Sequence, residues 1–285
     1  LLAACGGGGS SGGPTPPPAA QQMVGEIFAG PAQLATAQLK TGFGYSGNLL
    51  TSQALVASGR QNLLDLLFVI HGSSDGDKLA GRLAPDLEQR LQRYATDNQA
   101  LLVPGVRVLI ADEIFWNPPD SSDDPVVLQR QLDALASAVA LTRKHMPQVS
   151  IGITVTPYAT FNRPNSLAFV QRALAIPGLG WVGTDPYWFG DPATLEPLQS
   201  WTRDFPTLAR RANPTLETWL IAQAFRLPPW DLGLFRSFVA GQLGLADRYQ
   251  GLIFFGWQFA SELDGAIVGA AFDVETRALY GRYLP

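Results

Sequence analysis

From residue 23 onward the chain alternates short apolar runs with longer amphipathic segments, and this alternation restricts the fold more than any other property. A strand covered by helices on both faces reads as a continuous apolar run. Such runs fall at Met23 to Ala29, Thr41 to Ser46, Leu66 to His71, Val106 to Glu113, Val149 to Thr156, Trp181 to Tyr187, Trp219 to Phe225 and Leu252 to Gln258. The second is short and glycine-rich, while the later six are continuously apolar. Eight strands with interposed helices in roughly 250 residues predict an α/β chain folded as a (β/α)8 barrel.

The segments between the runs carry helix signals. Asp124 is placed to cap a helix that has Pro125 in its first position and Leu128, Leu132, Leu135 and Val139 on one stripe. Arg143, Lys144 and His145 fill its last turn and Pro147 stops it, so the start and stop signals agree. Leu79, Leu83, Leu87, Leu91 and Tyr94 form a second stripe, in which Pro85 implies a kink or a later start. An open doubly wound sheet is the competing fold, but it would bring a Gly-rich phosphate loop after its first strand. Gly25-Glu-Ile-Phe-Ala-Gly30 has no such core, and neither a Walker sequence nor a G-x-S-x-G elbow occurs.

Residues 1–22 are of a different kind, a run of Gly, Ser and Pro that reads as a tether, with the catalytic barrel predicted over residues 23–285. Leu2-Ala3-Ala4-Cys5-Gly6 resembles the lipobox at which bacterial signal peptides are cut and the new terminal cysteine is lipidated. Cys5 is therefore the expected lipidation site, and the expected location is the periplasmic or outer-membrane face of a bacterial envelope. The sequence starts inside that pattern, and the resemblance implies that most of such a signal region would precede it. No segment has the roughly 18 uninterrupted apolar residues that span a bilayer.

The net charge of −4 and the scattered Lys and Arg leave no basic footprint for nucleic acid. One cysteine and two histidines, His71 and His145, cannot assemble a Cys/His zinc site, and no cofactor or metal is implied. A monomer is expected.

In a barrel of this kind the active site lies at the C-terminal ends of the strands. Those ends bring together Glu26, Tyr45, His71, the doublet Asp112-Glu113, Thr156, Tyr158, Asp185, Tyr187, Trp188, Gln223, Phe225, Trp257 and Gln258, with Trp116 just beyond the fourth. Rings that stack on sugar faces, together with acids and amides that pair with hydroxyls, suit a neutral carbohydrate. Glu26, His71, Trp116, Tyr158, Tyr187, Trp188, Gln223, Trp257 and Gln258 are the expected substrate contacts.

Breaking a glycosidic bond commonly takes one carboxylic acid that protonates the leaving oxygen and a second carboxylate as nucleophile or base. Glu113 is the expected proton donor, because it ends an apolar strand and desolvation disfavours a carboxylate's charge. Neighbouring strand residues face opposite ways, so only one of Asp112 and Glu113 points fully inward unless the strand has already ended. The alternative is that either acid caps a loop or pairs with an arginine. Glu262 and Asp264 read better as an ordinary polar loop, and Asp75 and Asp77 fall short of a calcium-loop pattern.

With these residues in view, the chain resembles a glycoside hydrolase barrel of the large retaining clan. Asp112-Glu113-Ile-Phe-Trp-Asn-Pro118 stands where that clan carries its acid/base motif after strand four, and Trp257 resembles its strand-eight tryptophan. Trp219-Leu-Ile-Ala-Gln223 falls where its nucleophile glutamate would end strand seven, and there the resemblance breaks, since an amide is no anionic nucleophile. The second carboxylate is then Asp185, two strands away, or Asp112. Adjacent Asp-Glu pairs resemble those of substrate-assisted hexosaminidases, in which Glu donates the proton and Asp orients the substrate's own nucleophile. Loss of the strand-seven acid also leaves room for a barrel that binds glycans without cleaving them, or for an envelope lipoprotein whose barrel mouth is unused.

Overall fold

The apolar runs become strands in chain order, and their register closes them into a ring. The computed structural model of the chain describes residues 23–26, 43–46, 61–66, 69–70, 82–114, 123–160, 164–188, 192–226, 231–255, 268–269, 274–281 and 283. Strands β1 (Met23–Glu26), β2 (Phe43–Ser46), β3 (Gln61–Asp65), β4 (Arg107–Ala111), β5 (Ser150–Val155), β6 (Leu179–Thr184) and β7 (Glu217–Gln223) pair in sequence, each parallel to the next. A short β8 (Phe225–Arg226) precedes β9 (Gly251–Phe255), whose Gly251 stands level with Trp219 of β7 on one side and Met23 of β1 on the other. That double pairing closes an eight-stranded parallel barrel. The chain is a (β/α)8 barrel, with β8 and β10 (Val268–Gly269) forming a small antiparallel pair beyond the end of β7.

The third strand lies upstream of its expected place at Leu66 to His71. Leu66 N–H still reaches the Leu109 carbonyl at 2.9 Å, but Val69 N–H turns back to the Leu66 carbonyl, also at 2.9 Å, and the run leaves the sheet. Leu66 and Val69 are apolar because they are buried in the outer core, and apolarity alone does not separate a buried turn from a buried strand. The strand therefore ends at Asp65, which pairs with Leu109, and His71 lies outside the described residues.

Helices α1 (Leu87–Asp97), α2 (Pro125–His145), α3 (Pro164–Leu174), α4 (Pro192–Ala212), α5 (Leu232–Leu245) and α6 (Val274–Leu279) account for the amphipathic segments. The Asp124 carboxylate accepts from Val126 N–H at 2.8 Å, a cap that contributes about 1 kcal/mol, and the Leu128, Leu132, Leu135 and Val139 stripe is buried. α1 starts after Pro85, resolving the choice that proline posed. No helix among the described residues is long and apolar enough to cross a membrane.

Alternation along the strands divides the core in two. Val108, Ile110, Ile151, Ile153, Val182, Leu220, Leu252 and Phe254 face the helices, whereas Leu109, Trp181, Trp219, Ile221 and Ile253 form a separate cluster within the barrel. Trp181 and Trp219 meet edge-on, ring centroids 5.9 Å apart. Each needs a missing side chain beside it: a Cβ on Gly152 would overlap the Trp181 indole, and one on Gly251 would overlap that of Trp219. Below them Arg107, first in β4, makes a bidentate pair with Glu217, first in β7, at 2.8 to 3.0 Å, its guanidinium 5.1 Å from the Trp219 ring centre. The floor of the barrel is thus plugged, and chemistry is left to the opposite end.

Candidate active site

The doublet at the end of β4 turns inward as a pair through two departures from regular strand geometry. The β4–β5 register shifts between Leu109 and Ala111, so that Ala111 pairs with outward-facing Ile153 and Asp112 comes level with inward-facing Thr154. Glu113 then takes a positive φ of 45°, in the left-handed region that a non-glycine residue occupies only under local constraint. Thr154 supplies the constraint: its hydroxyl accepts from Glu113 N–H at 2.7 Å and donates to Asp112 Oδ1 at 2.5 Å. Because the backbone N–H occupies the acceptor side of Thr154, its proton points to Asp112, which is thereby held as the acceptor. The strand has ended at Ala111, so strict alternation no longer divides the two acids.

Asp185 arrives from β6 by plain alternation, after Trp181 and Gly183. It is 3% exposed, and its Oδ1 has no hydrogen-bond partner. Burial pushes its carboxyl well above the ordinary carboxylate range, and hydrogen bonding to Glu113 and the charges of Glu113 and Asp112 push it further. Asp185 and Glu113 are thus hydrogen-bonded to each other inside the barrel. Asp112, Glu113 and Asp185, from strands two apart in the ring, form one acidic cluster.

Two tyrosines border it. Tyr187 stacks on Phe255 with centroids 5.5 Å apart and meets Phe225 edge-on at 5.2 Å, packing on the inner cluster. The Tyr158 hydroxyl donates to the Tyr187 carbonyl. Burial pushes both phenols up, and Asp185 and Glu113 add to the shift in each.

Gln223 and Trp188 have other work. Gln223 ends β7 on the inward register, yet it is fully buried and its amide is engaged at both ends: Oε1 accepts from Trp188 N–H at 3.1 Å and Nε2 donates to the Phe225 carbonyl at 3.2 Å. Its own N–H donates to Gln242 Oε1 at 2.9 Å, and Gln242 Nε2 donates to the Pro186 carbonyl at 2.9 Å. These bonds stitch the segment after Asp185 to β7 and α5. The Trp188 ring, expected at the mouth, lies in the helix layer instead: it packs on Leu198 and Phe238, and its indole N–H donates to Thr202 at 3.1 Å. One residue beyond inward-facing Tyr187, it follows the alternation outward.

Of the other expected contacts, Glu26 ends β1. His71, Trp116, Trp257, Gln258 and Cys5 lie outside the described residues, as do Asp75, Asp77, Glu262 and Asp264. Thr154 is the site residue that sequence reasoning missed. Its signal was the small, inward series Ser150, Gly152, Thr154 alternating with Ile151, Ile153 and Val155. Among the described residues no group of three His, Cys, Asp or Glu is arranged to hold a metal ion.

No family model matches the sequence, and neither does any curated protein. Solved structures do share its architecture. A fungal β-1,4-galactanase matches with a TM-score of 0.53 at 15% identity over 87% of this chain and 89% of its own. Xylanase 10B from Thermotoga petrophila RKU-1 gives 0.56 at 9% identity, over 87% and 88%. The endo-1,4-β-D-mannanase from the same organism gives 0.54 at 10% identity, over 92% and 90%. At such identities the likeness is one of fold, the (β/α)8 barrel.

Proposed function

We propose that the protein is a glycoside hydrolase acting on a poly- or oligosaccharide, with Glu113 as proton donor. The observation that carries this reading is the convergence of Asp112, Glu113 and Asp185 at the C-terminal end of a glycosidase-like barrel, beside the stacked Tyr187. Glu113 is hydrogen-bonded to Asp185 and is the more open of the two. Glu113 protonates the leaving oxygen, while Asp112, kept an acceptor by Thr154, is the second carboxylate. Gln223 then has no catalytic duty, which fits its use in joining β6 to β7. Galactanase, xylanase and mannanase, the activities of the similar structures, indicate a polysaccharide substrate. Glu26, His71, Trp116, Trp257 and Gln258 are its proposed further contacts at the mouth.

Replacing Glu113→Gln should lower the release of reducing ends roughly 10²-fold or more. Full activity in that variant on the best substrate would end the assignment. The competing reading, a barrel that binds glycans without cleaving them, is favoured by the amide at Gln223. Glycan binding with no reducing ends released on prolonged incubation would establish it instead. We place the protein at a bacterial envelope, tethered by a lipid on Cys5, because Leu2-Ala3-Ala4-Cys5-Gly6 has the lipobox pattern. Labelled fatty acid should be incorporated in cells expressing the full-length chain and lost in Cys5→Ser.

A further inference from the structure

The floor of the barrel, fixed by strand-opening residues such as Arg107, Ser150, Leu179 and Glu217, carries cations that no acid neutralises. Arg143, in the last turn of α2, donates to the Val149 and Gly178 carbonyls at 3.3 and 2.6 Å, directly before β5 and β6. These partners are neutral, so they hold the guanidinium at the floor and leave its charge intact. Arg210 and Arg211 close α4, a short turn ahead of Glu217. Both are exposed, and neither has an ion-pair partner among the described residues. The acids described at this end are taken elsewhere: Glu217 pairs with Arg107, Glu88 with Lys144 and Asp97 with Arg93, while Asp247 adjoins exposed Arg248. A helix dipole favours a cation in each last turn, but that gives no reason to double it without a counter-ion.

Two independent observations point to what meets this face. Val103 and Pro104, ahead of β4, are exposed, Val103 at 43%. Val106 N–H donates to the Val103 carbonyl at 3.1 Å and Gly105 takes a φ of 94°, so an apolar tip stands on a tight turn at the floor. Met23, level with Gly251, opens β1 at the same end, and there the chain from Cys5 joins the barrel. Fully extended, that stretch reaches at most about 65 Å, so a lipid on Cys5 would keep a bilayer within reach of the floor.

We propose that the barrel floor is a docking surface for an anionic lipid bilayer, with Arg143, Arg210 and Arg211 over the headgroups and the Val103-Pro104 tip among them. The choice of a bilayer as occupant rests on reading Cys5 as a lipid anchor. Each cation near an anionic surface adds to binding, and charges farther off than a Debye length, about 10 Å at 0.1 M salt, are screened. The acids at the far mouth therefore do not cancel the attraction at the floor. Docked in this way, the protein turns its acidic cluster away from the membrane and toward whatever polymer lies above it.

The test is flotation of the full chain carrying Cys5→Ser, which removes the lipid as a cause of binding. One set of vesicles holds equal parts of phosphatidylglycerol and phosphatidylcholine, the other phosphatidylcholine alone. The anionic vesicles should bind the protein about tenfold tighter or more, and high salt should release it. Arg210→Glu with Arg211→Glu should weaken that binding about tenfold or more while the urea midpoint stays put, since both side chains are exposed. Val103→Asp should weaken it as well. The lipid and salt comparisons use unaltered floor residues, so they decide the matter even where a variant is destabilised. No flotation with the anionic vesicles, equal flotation with both kinds, or full binding by the doubly reversed variant would overturn the proposal. Binding to the anionic vesicles with no fatty acid incorporated at Cys5 in cells would support the surface and overturn the anchor alone.

Discussion

The Thr154 hydroxyl lies 2.5 Å from Asp112 Oδ1 and donates to it, so a single β5 side chain decides where the first acid of the doublet points. The same hydroxyl accepts from Glu113 N–H at 2.7 Å and so helps hold the left-handed backbone that turns the second acid inward. Thr154→Val keeps the shape and deletes both bonds. It should cost about 1 to 3 kcal/mol, because a buried N–H and a carboxylate oxygen lose their partner. It should also lower turnover about tenfold or more, because Asp112 is no longer aligned. Urea unfolding and reducing-end release measure the two effects, and Thr154→Ser should restore both. Unchanged stability and rate in Thr154→Val would remove Thr154 from the site.

Asp185 makes stability depend on pH in a direction opposite to that of a salt-bridged acid. Its carboxyl is raised in the folded chain, well above the ordinary carboxylate range, chiefly by burial and then by Glu113 and Asp112. Between the unfolded and the folded value the folded state binds more protons than the unfolded one, so stability falls as pH rises. The contribution is fully present below the unfolded value and is lost as pH climbs through the folded one, with a slope of at most about 1.4 kcal/mol per pH unit for one proton. Asp185→Asn, neutral at every pH, should flatten this component of the urea midpoint on the alkaline side. An equal decline in both proteins would assign the slope to other groups.

Much of this architecture was legible in the sequence, and the exceptions share a physical cause. Strands β4, β5, β6, β7 and β9 fall within the expected runs or begin within two residues of them, and α2 begins at its capping aspartate, because those signals are local. The third strand was misplaced because Leu66 and Val69 are buried in a turn, where composition is as apolar as in a strand. The inward turn of both Asp112 and Glu113 was not legible, since it depends on a register shift against β5 and on a positive φ at a glutamate, neither of which has a residue signature. Gln223 was legible as a departure from the resembling family. Its role was not, because it depends on the Trp188 N–H and Phe225 carbonyl that the fold brings to it.

Gly152 is where the inner core has no slack. A Cβ there would overlap the indole of Trp181, and the ring is buried against Trp219 with nowhere to go. Gly152→Ala should therefore destabilise the barrel by about 1 to 3 kcal/mol, the usual cost of overpacking. Trp181→Leu in the same chain makes room for the methyl. The double variant should then be more stable than the two single losses would add up to, a coupling that a double-mutant cycle in urea reads directly. Strict additivity would show that the ring moves aside freely.

At the opposite end of the same interior, Arg107 and Glu217 join the first residues of β4 and β7 across the barrel floor. The Arg107 side chain is 10% exposed and that of Glu217 37%, so the two partners are not equivalent. Removing Glu217 leaves a buried guanidinium with its cation–π contact to Trp219 but no counter-charge, and Glu217→Ala should cost about 3 kcal/mol. Removing Arg107 leaves a carboxylate that water can reach, so Arg107→Met should cost less. Replacing both by apolar residues should recover most of the loss, since the desolvation of the pair disappears with it. Urea midpoints of the two single variants and the double distinguish this from a plain packing contact, for which the double would be the least stable of the three. Because the floor is far from the acidic cluster, activity per folded molecule should stay at the parent value in all three.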